Sequence, residues 1–206
     1  IQYNILTVLT HELSKKPKQL FEFFIKNKFQ YIQLIPCLPT LQGNTVIDRY
    51  SLKPQDFSNF YKVFFDCWYK EYCKGHYISI YLFDNIIPMY RNILPQQCGM
   101  LGKCQMQFVV EGNGNVYPCD FYVLDEYCSG NIETDQIKDI ITNSVVQKFL
   151  KEPRKCCSKC DECRFKKICY GNCKRLSVCY YDVNYCGYKD FLDYTEQRMI
   201  NIAKQL

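Results

Sequence analysis

Between Lys155 and Cys173 the chain reads KCCSKCDECRFKKICYGNC, six cysteines in nineteen residues, and few folds accommodate so many sulfurs in one loop. Four of them, Cys160, Cys163, Cys169 and Cys173, are spaced C-x2-C-x5-C-x3-C. A C-x2-C knuckle lets two thiolates converge on one centre, and its tight turn frees backbone N–H groups to hydrogen-bond the sulfurs. Basic residues crowd the run (Lys155, Lys159, Arg164, Lys166, Lys167, Lys174 and Arg175), which favours thiolate over thiol. Metal is therefore the expected partner of these sulfurs. Spacing alone leaves zinc and iron–sulfur both open, since each accepts four thiolates.

The chain has fifteen cysteines in 206 residues, an odd count that argues against full disulfide pairing. The opening IQYNILTVLTHELSKK lacks the basic leader, long apolar centre and cleavage site of a secretory signal. Intracellular thiols in a cytoplasmic protein are thus the expectation. The longest apolar runs, such as YLFDNIIPMY, are strand-sized, so no membrane span is expected. Hydrophobic residues at 48% and aromatics at 16% exclude a disordered chain. A net charge of +5, from 26 basic and 21 acidic residues dispersed along the chain, points away from nucleic acid.

The first third alternates strand and helix. YNILTVLT (Tyr3–Thr10) predicts a buried parallel strand. SKKPKQLFEFFIKNK predicts a helix with Ser14 as cap, Pro17 in its first turn, and Leu20, Phe21, Phe23 and Phe24 at helical spacing. YIQLIPCL (Tyr31–Leu38) is a second strand, cut short by Pro36 and Pro39. Phe57, Phe60, Tyr61, Phe64, Trp68 and Tyr72 then mark a helix that ends at Gly75. YISIYLF reads as a third strand and DNIIPMYRN as a short helix interrupted by Pro88. This order implies parallel, right-handed crossovers, one side of a larger α/β layer.

From Cys98 the character changes, and a boundary near residue 94 divides the chain into 1–94 and 95–206. QFVVEGNGNVYPCDFYVL predicts a hairpin turning at GNGN. ETDQIKDIITNSVVQKFLKE predicts one amphipathic helix stopped near Pro153. YKDFLDYTEQRMINIAKQL predicts a last helix that carries Phe191, Tyr194, Met199 and Ile202 to the core.

Outside the dense loop, Cys98 and Cys104 form C-x5-C, Cys119 closes the hairpin, and Cys186 precedes the last helix. With the four above they make eight, enough for two four-thiolate sites. Cys156, Cys160 and Cys163 also form C-x3-C-x2-C, the spacing of a radical S-adenosylmethionine cluster. A chance match is cheap in so cysteine-rich a loop, and that motif belongs upstream, at the end of a barrel's first strand. Cys37, Cys67, Cys73, Cys128, Cys156, Cys157 and Cys179 read as buried small side chains or surface thiols. His11 and His76, near element ends, read as solvated or capping.

Taken together, CGMLGKCQMQFVVEGNGNVYPCDFYVLD, CDECRFKKICYGNC and NYC resemble the C-terminal part of the anaerobic sulfatase-maturating enzymes. These are radical S-adenosylmethionine enzymes whose SPASM-type extension holds two auxiliary 4Fe–4S clusters. The upstream YNILTVLT, YIQLIPCLPTL and YSLKPQDF resemble the last strands and helix of their partial (β/α)6 barrel, so the resemblance spans essentially the whole sequence. It implies an α/β fold: the C-terminal portion of that barrel, then a small cysteine-rich α+β module of hairpin, cluster loops and helices.

The resemblance also implies roles. The first auxiliary cluster would take Cys98, Cys104, Cys119 and Cys173, and the second Cys160, Cys163, Cys169 and Cys186. Cluster loss should then unfold the module that both sites tie together. Asp120, next to Cys119 in YPCDF, would be the catalytic base as a sulfatase's Cys or Ser is oxidised to formylglycine. Leu38, in PCLPTL, would pack on the nucleotide of S-adenosylmethionine. From the residues alone, Asp120 is a turn cap or lysine partner and Leu38 a core side chain. The implied partners are a sulfatase polypeptide and an electron donor such as a flavodoxin or ferredoxin, with no nucleic acid and no membrane. The family's N-terminal half carries the C-x3-C-x2-C loop, which binds a third 4Fe–4S cluster, and the first four barrel strands. That half is not in this sequence. The chain alone is therefore expected to be unable to start radical chemistry, and its open barrel edge should seek the missing half. Two other readings stand beside this one: another SPASM-type peptide-modifying enzyme, or a zinc-binding module that contacts protein or nucleic acid.

Overall fold

β1 (Ile5–Leu9) and β2 (Tyr31–Pro36) pair in parallel, in a register running from Ile5 opposite Ile32 to Leu9 opposite Pro36. The computed structural model describes residues 3–153 and 160–206. Period-two alternation turns Ile5 and Leu9 toward the helices, while Leu6 and Val8 stand 63% and 55% exposed on the other face. The first strand is thus buried on one face, not on both as its apolar run suggests.

α1 (His11–Ser14) is a single turn capped by Thr10, whose side chain accepts from the Leu13 N–H at 3.1 Å. Ser14 is not a cap; its hydroxyl donates to the His11 carbonyl at 2.7 Å. α2 (Pro17–Lys26) starts on Pro17, where a missing N–H costs nothing, and buries Phe21 and Phe24 while Phe23 stays half exposed. α3 (Thr45–Asp48) is one turn in the loop after β2.

α4 (Pro54–Cys73) buries Phe57, Phe60, Tyr61, Phe64, Phe65 and Trp68, and Gly75 beyond its end takes φ +83°. β3 spans only Ser79–Ile80, parallel to β2. α5 (Tyr81–Met89) absorbs the rest of the expected third strand. Leu82, Phe83, Ile86 and Ile87 bury at helical spacing, but the short apolar run YISIYLF by itself fits helix and strand alike. Pro88 falls in the last turn of α5, so it does not interrupt the helix midway.

β4 (Val109–Val110) and β5 (Asn115–Tyr117) form the expected antiparallel hairpin, and β6 (Gly130–Asn131) adds a third strand. Instead of one helix there are two, α6 (Ile137–Thr142) and α7 (Ser144–Lys151). The break is Asn143, whose side chain accepts from the Val145 N–H at 2.8 Å and caps α7. Asparagine satisfies an orphan helix N–H better than it serves a helix interior.

α8 (Lys166–Cys169), α9 (Ser177–Tyr180) and α10 (Gly187–Ala203) complete the chain. α10 lies against α4, where a β-carbon at Gly187 would come within 2.0 Å of the Pro54 carbonyl oxygen. Phe191 meets Phe57, Tyr61, Phe65 and Phe83. Phe191, Met199 and Ile202 are buried as expected, but Tyr194 is half exposed and its hydroxyl donates to Asp66 at 2.7 Å. One apolar core therefore runs from Leu9 to Ala203, across residue 94. Among the described residues no helix is long and apolar enough to cross a membrane.

Candidate metal centres

Four of the predicted ligands come from separate segments. Cys98 opens a 3-10 turn, Cys104 follows Gly102 at φ +76°, Cys119 follows β5, and Cys173 ends the dense loop. The Cys98 thiol lies in the fields of Cys173, Cys104 and Asp120, and Cys119 in those of Asp120 and Cys173. The Gly99 N–H donates to Cys98, the Phe121 N–H donates to Cys119, and the Gln107 side-chain amide reaches Cys98 Sγ at 3.7 Å.

The other four form a second group. Cys160 and Cys163 share one turn, Cys169 ends α8, and Cys186 caps α10, its sulfur accepting from the Lys189 N–H at 3.3 Å. The Gly171 N–H donates to Cys169, whose thiol feels Cys186, Cys160 and Cys163. All four line one cavity of about 190 Å³, together with Phe165, Tyr188 and Leu192.

The dense run is therefore divided. Cys160, Cys163 and Cys169 face one cavity, and Cys173 faces another, with Cys98 and Asp120. The chain turns between them at Tyr170, Gly171 and Asn172, three successive residues with φ of +49°, +76° and +54°. Left-handed backbone costs about 1–2 kcal/mol at a non-glycine residue, and such outliers persist where surrounding structure demands them.

The sulfurs' surroundings correct one expectation. Arg164 is held by Asp193 and Glu196, Lys174 by Glu152, and Arg175 by the Pro39 carbonyl, and Lys166 lies 3.5 Å from Asp161. These cations serve carboxylates and a carbonyl rather than thiols. Burial, the largest influence, pushes the Cys98 thiol up, and carries Cys119 and Cys169 to about 12. Lys155, Lys159, Cys156 and Cys157, and with them the C-x3-C-x2-C spacing, lie outside the described residues.

No disulfide joins the described cysteines. Among the described residues, no three His, Cys, Asp or Glu side chains gather closely enough to hold a metal ion. The second group nonetheless suits a sulfur-bridged group larger than one ion: four thiols around a cavity, with backbone N–H groups aimed at sulfur.

Asp120 begins a 3-10 turn beside Cys119, whose Sγ lies 3.3 Å from Oδ1. It lines a cavity of about 350 Å³ that runs from Gln33, Ile35 and Pro36 of β2 to Cys98 and Cys173. Leu38 lies just beyond β2, partly buried against the core. The sequence gives no signal for Gln107 or Tyr188, and it places Arg175 beside the thiols, because the partners of all three are set by the fold. His11 bonds Asp56 at 2.8 Å and His76 bonds Glu71 at 3.2 Å, both structural ties.

Residues 98–164 match the family model for SPASM, an iron–sulfur cluster-binding domain. The chain is 36% identical over 212 residues to the cysteine-type anaerobic sulfatase-maturating enzyme of Clostridium perfringens (strain 13 / Type A), covering 100% of this chain and 57% of the relative. Identity to the enzyme of that name from Clostridium novyi (strain NT) is 33%, with the same coverage. A solved structure, native anSMEcpe with bound AdoMet and Kp18Cys peptide, shares the fold with a TM-score of 0.90 at 33% identity. That likeness covers 100% of this chain and 59% of the solved one.

The chain matches the anaerobic sulfatase-maturating enzyme family. It spans a little over half the length of these relatives, and corresponds to the family's partial barrel and SPASM portion. The SPASM match is to an iron–sulfur cluster-binding domain, and the solved relative is one with AdoMet bound. Five of the eight cysteines (Cys98, Cys104, Cys119, Cys160 and Cys163) lie inside the SPASM match, and Cys169, Cys173 and Cys186 follow it.

Proposed function

We propose that this chain is the barrel edge (1–94) and auxiliary-cluster module (95–206) of an enzyme that oxidises a sulfatase's cysteine or serine to formylglycine. Cysteine is the favoured substrate residue, because the relatives at 33% and 36% identity are of the cysteine type. Cys98, Cys104, Cys119 and Cys173 would hold one auxiliary 4Fe–4S cluster, and Cys160, Cys163, Cys169 and Cys186 the other. Leu38 would pack on AdoMet, and the whole enzyme would carry a third cluster. A flavodoxin or ferredoxin is the expected electron donor, and the cytoplasm the expected compartment.

One observation carries the reading. Asp120 lines the cavity that joins the β2 strand to Cys98 and Cys173. Loss of a Cβ hydrogen atom, the side-chain proton and one electron from a –CH2–XH group leaves a C=X double bond. With oxygen as X the product is the aldehyde, and with sulfur it is a thioaldehyde that water hydrolyses to the aldehyde, releasing hydrogen sulfide. Asp120 accepts the proton; the 3-10 turn that it begins sets its carboxylate at the cavity wall. When bound, AdoMet and the clusters supply the radical and the sink for the electron.

The test is Asp120→Asn in the complete enzyme, with formylglycine in a cysteine-containing sulfatase peptide read by mass spectrometry. A general base contributes about 10²–10⁴-fold, so turnover should fall by that factor with iron content unchanged. Undiminished turnover would remove Asp120 from the mechanism.

A further inference from the structure

The second cysteine cavity contains a polar group that the reaction above does not use. Tyr188, in the first turn of α10, lines it with Cys160, Cys163, Cys169 and Cys186. Its side chain is 1% exposed, and its hydroxyl makes no hydrogen bond of ordinary geometry. Among its polar neighbours are Cys169, the foremost, then Tyr90, Tyr61 and Asn172. The ring stacks on Phe57 at 5.7 Å and meets Tyr180 edge-on at 5.0 Å, so it is held in place.

A buried hydroxyl without an acceptor is costly, and phenylalanine would fill the same space without that cost. A phenol is a donor, and the cavity it borders is walled by four sulfurs. We propose that the Tyr188 hydroxyl donates a hydrogen bond to an anionic sulfur, the Cys169 thiolate or an inorganic sulfide, of the iron–sulfur group in this cavity. That bond raises the group's reduction potential. Reduction adds negative charge to the sulfurs, so a donor stabilises the reduced form more than the oxidised one. The second site thereby accepts an electron more readily than it would without that bond. This inference rests on the assignment of Cys160, Cys163, Cys169 and Cys186 as ligands. Tyr188 is a tuning residue and takes no part in the bond-breaking step.

The experiment uses the complete, anaerobically reconstituted enzyme and its Tyr188→Phe variant. Iron is counted, and the clusters are titrated by EPR against potential. The second-site signal is the one lost in Cys169→Ala. Tyr188→Phe should keep its iron, shift the second-site signal to a more negative potential and leave the other signals in place. Tyr90→Phe is the control: that hydroxyl also lacks a partner, and should cause no shift. Independently, deuterium oxide should shift the second site's Fe–S stretching bands in the wild type and less so in Tyr188→Phe. An unchanged second-site potential with full iron overturns the inference and leaves the ligand assignment standing. If Cys169→Ala removes no iron, the assignment and the inference fall together.

Discussion

Gly99 lies so close to Cys173 that a β-carbon at position 99 would stand 2.6 Å from the Cys173 Cβ and 2.8 Å from its backbone nitrogen. Contact of this kind brings the turn holding Cys98 onto the end of the dense loop, 74 residues away in sequence.

Gly99→Ala should therefore push the two segments apart. The obstacle is backbone, which cannot rotate away, so a cost of about 1–3 kcal/mol is expected. Iron in the reconstituted protein should fall by about four atoms per chain, the content of one cluster. Gly112→Ala, whose β-carbon meets nothing within 4 Å, should leave iron and melting temperature unchanged. Iron analysis with thermal denaturation of the two variants checks the contrast.

Arg175 ties the segment after Cys173 to the loop after β2. It is 9% exposed and donates to the Pro39 carbonyl, next to Leu38. Arg175→Lys replaces a planar fork with a point charge on a flexible stem. The lost bond should destabilise the protein by about 1.5–3 kcal/mol. If Leu38 contacts the nucleotide, AdoMet should bind the complete enzyme about ten-fold more weakly, as calorimetry can read, with iron content unchanged.

Asp190 joins α10 to α4. Burial works to raise its carboxyl, but Lys62, Tyr185 and Ser58 outweigh that and hold it below the usual carboxylate range. The bonds to Lys62, Tyr185 and Ser58 measure 2.6, 2.6 and 2.7 Å. A carboxyl depressed in the folded state stabilises above its unfolded value of about 3.9, and that stability is lost as pH falls through the folded value. Asp190→Asn should thus be less stable than wild type at pH 7, and the gap should close in acid below about pH 4. Urea denaturation of wild type and variant at a series of pH values gives both curves. A gap independent of pH would show that the ion pair contributes nothing.

Much of this chain was legible in its residues. The parallel pair β1–β2, the aromatic stripe of α4 and the Val109–Tyr117 hairpin follow from periodicity and turn chemistry. The cysteine spacing singled out eight candidate sulfurs, although not the metal they would hold. The third strand was not legible, because the short apolar run YISIYLF fits helix and strand alike. Nor was the helix break at Asn143, where one side-chain hydrogen bond outweighs continuity.

Local pattern thus settled most of the helices, strands and the thiol-bearing loop, since those choices depend on residues within a turn or two. How Cys173 parts from Cys169, why Gly99 must be glycine, and what borders the Tyr188 hydroxyl were decided by chain approach. Those approaches join residues tens to more than a hundred positions apart, and packing in three dimensions, rather than any local propensity, sets the distances between them.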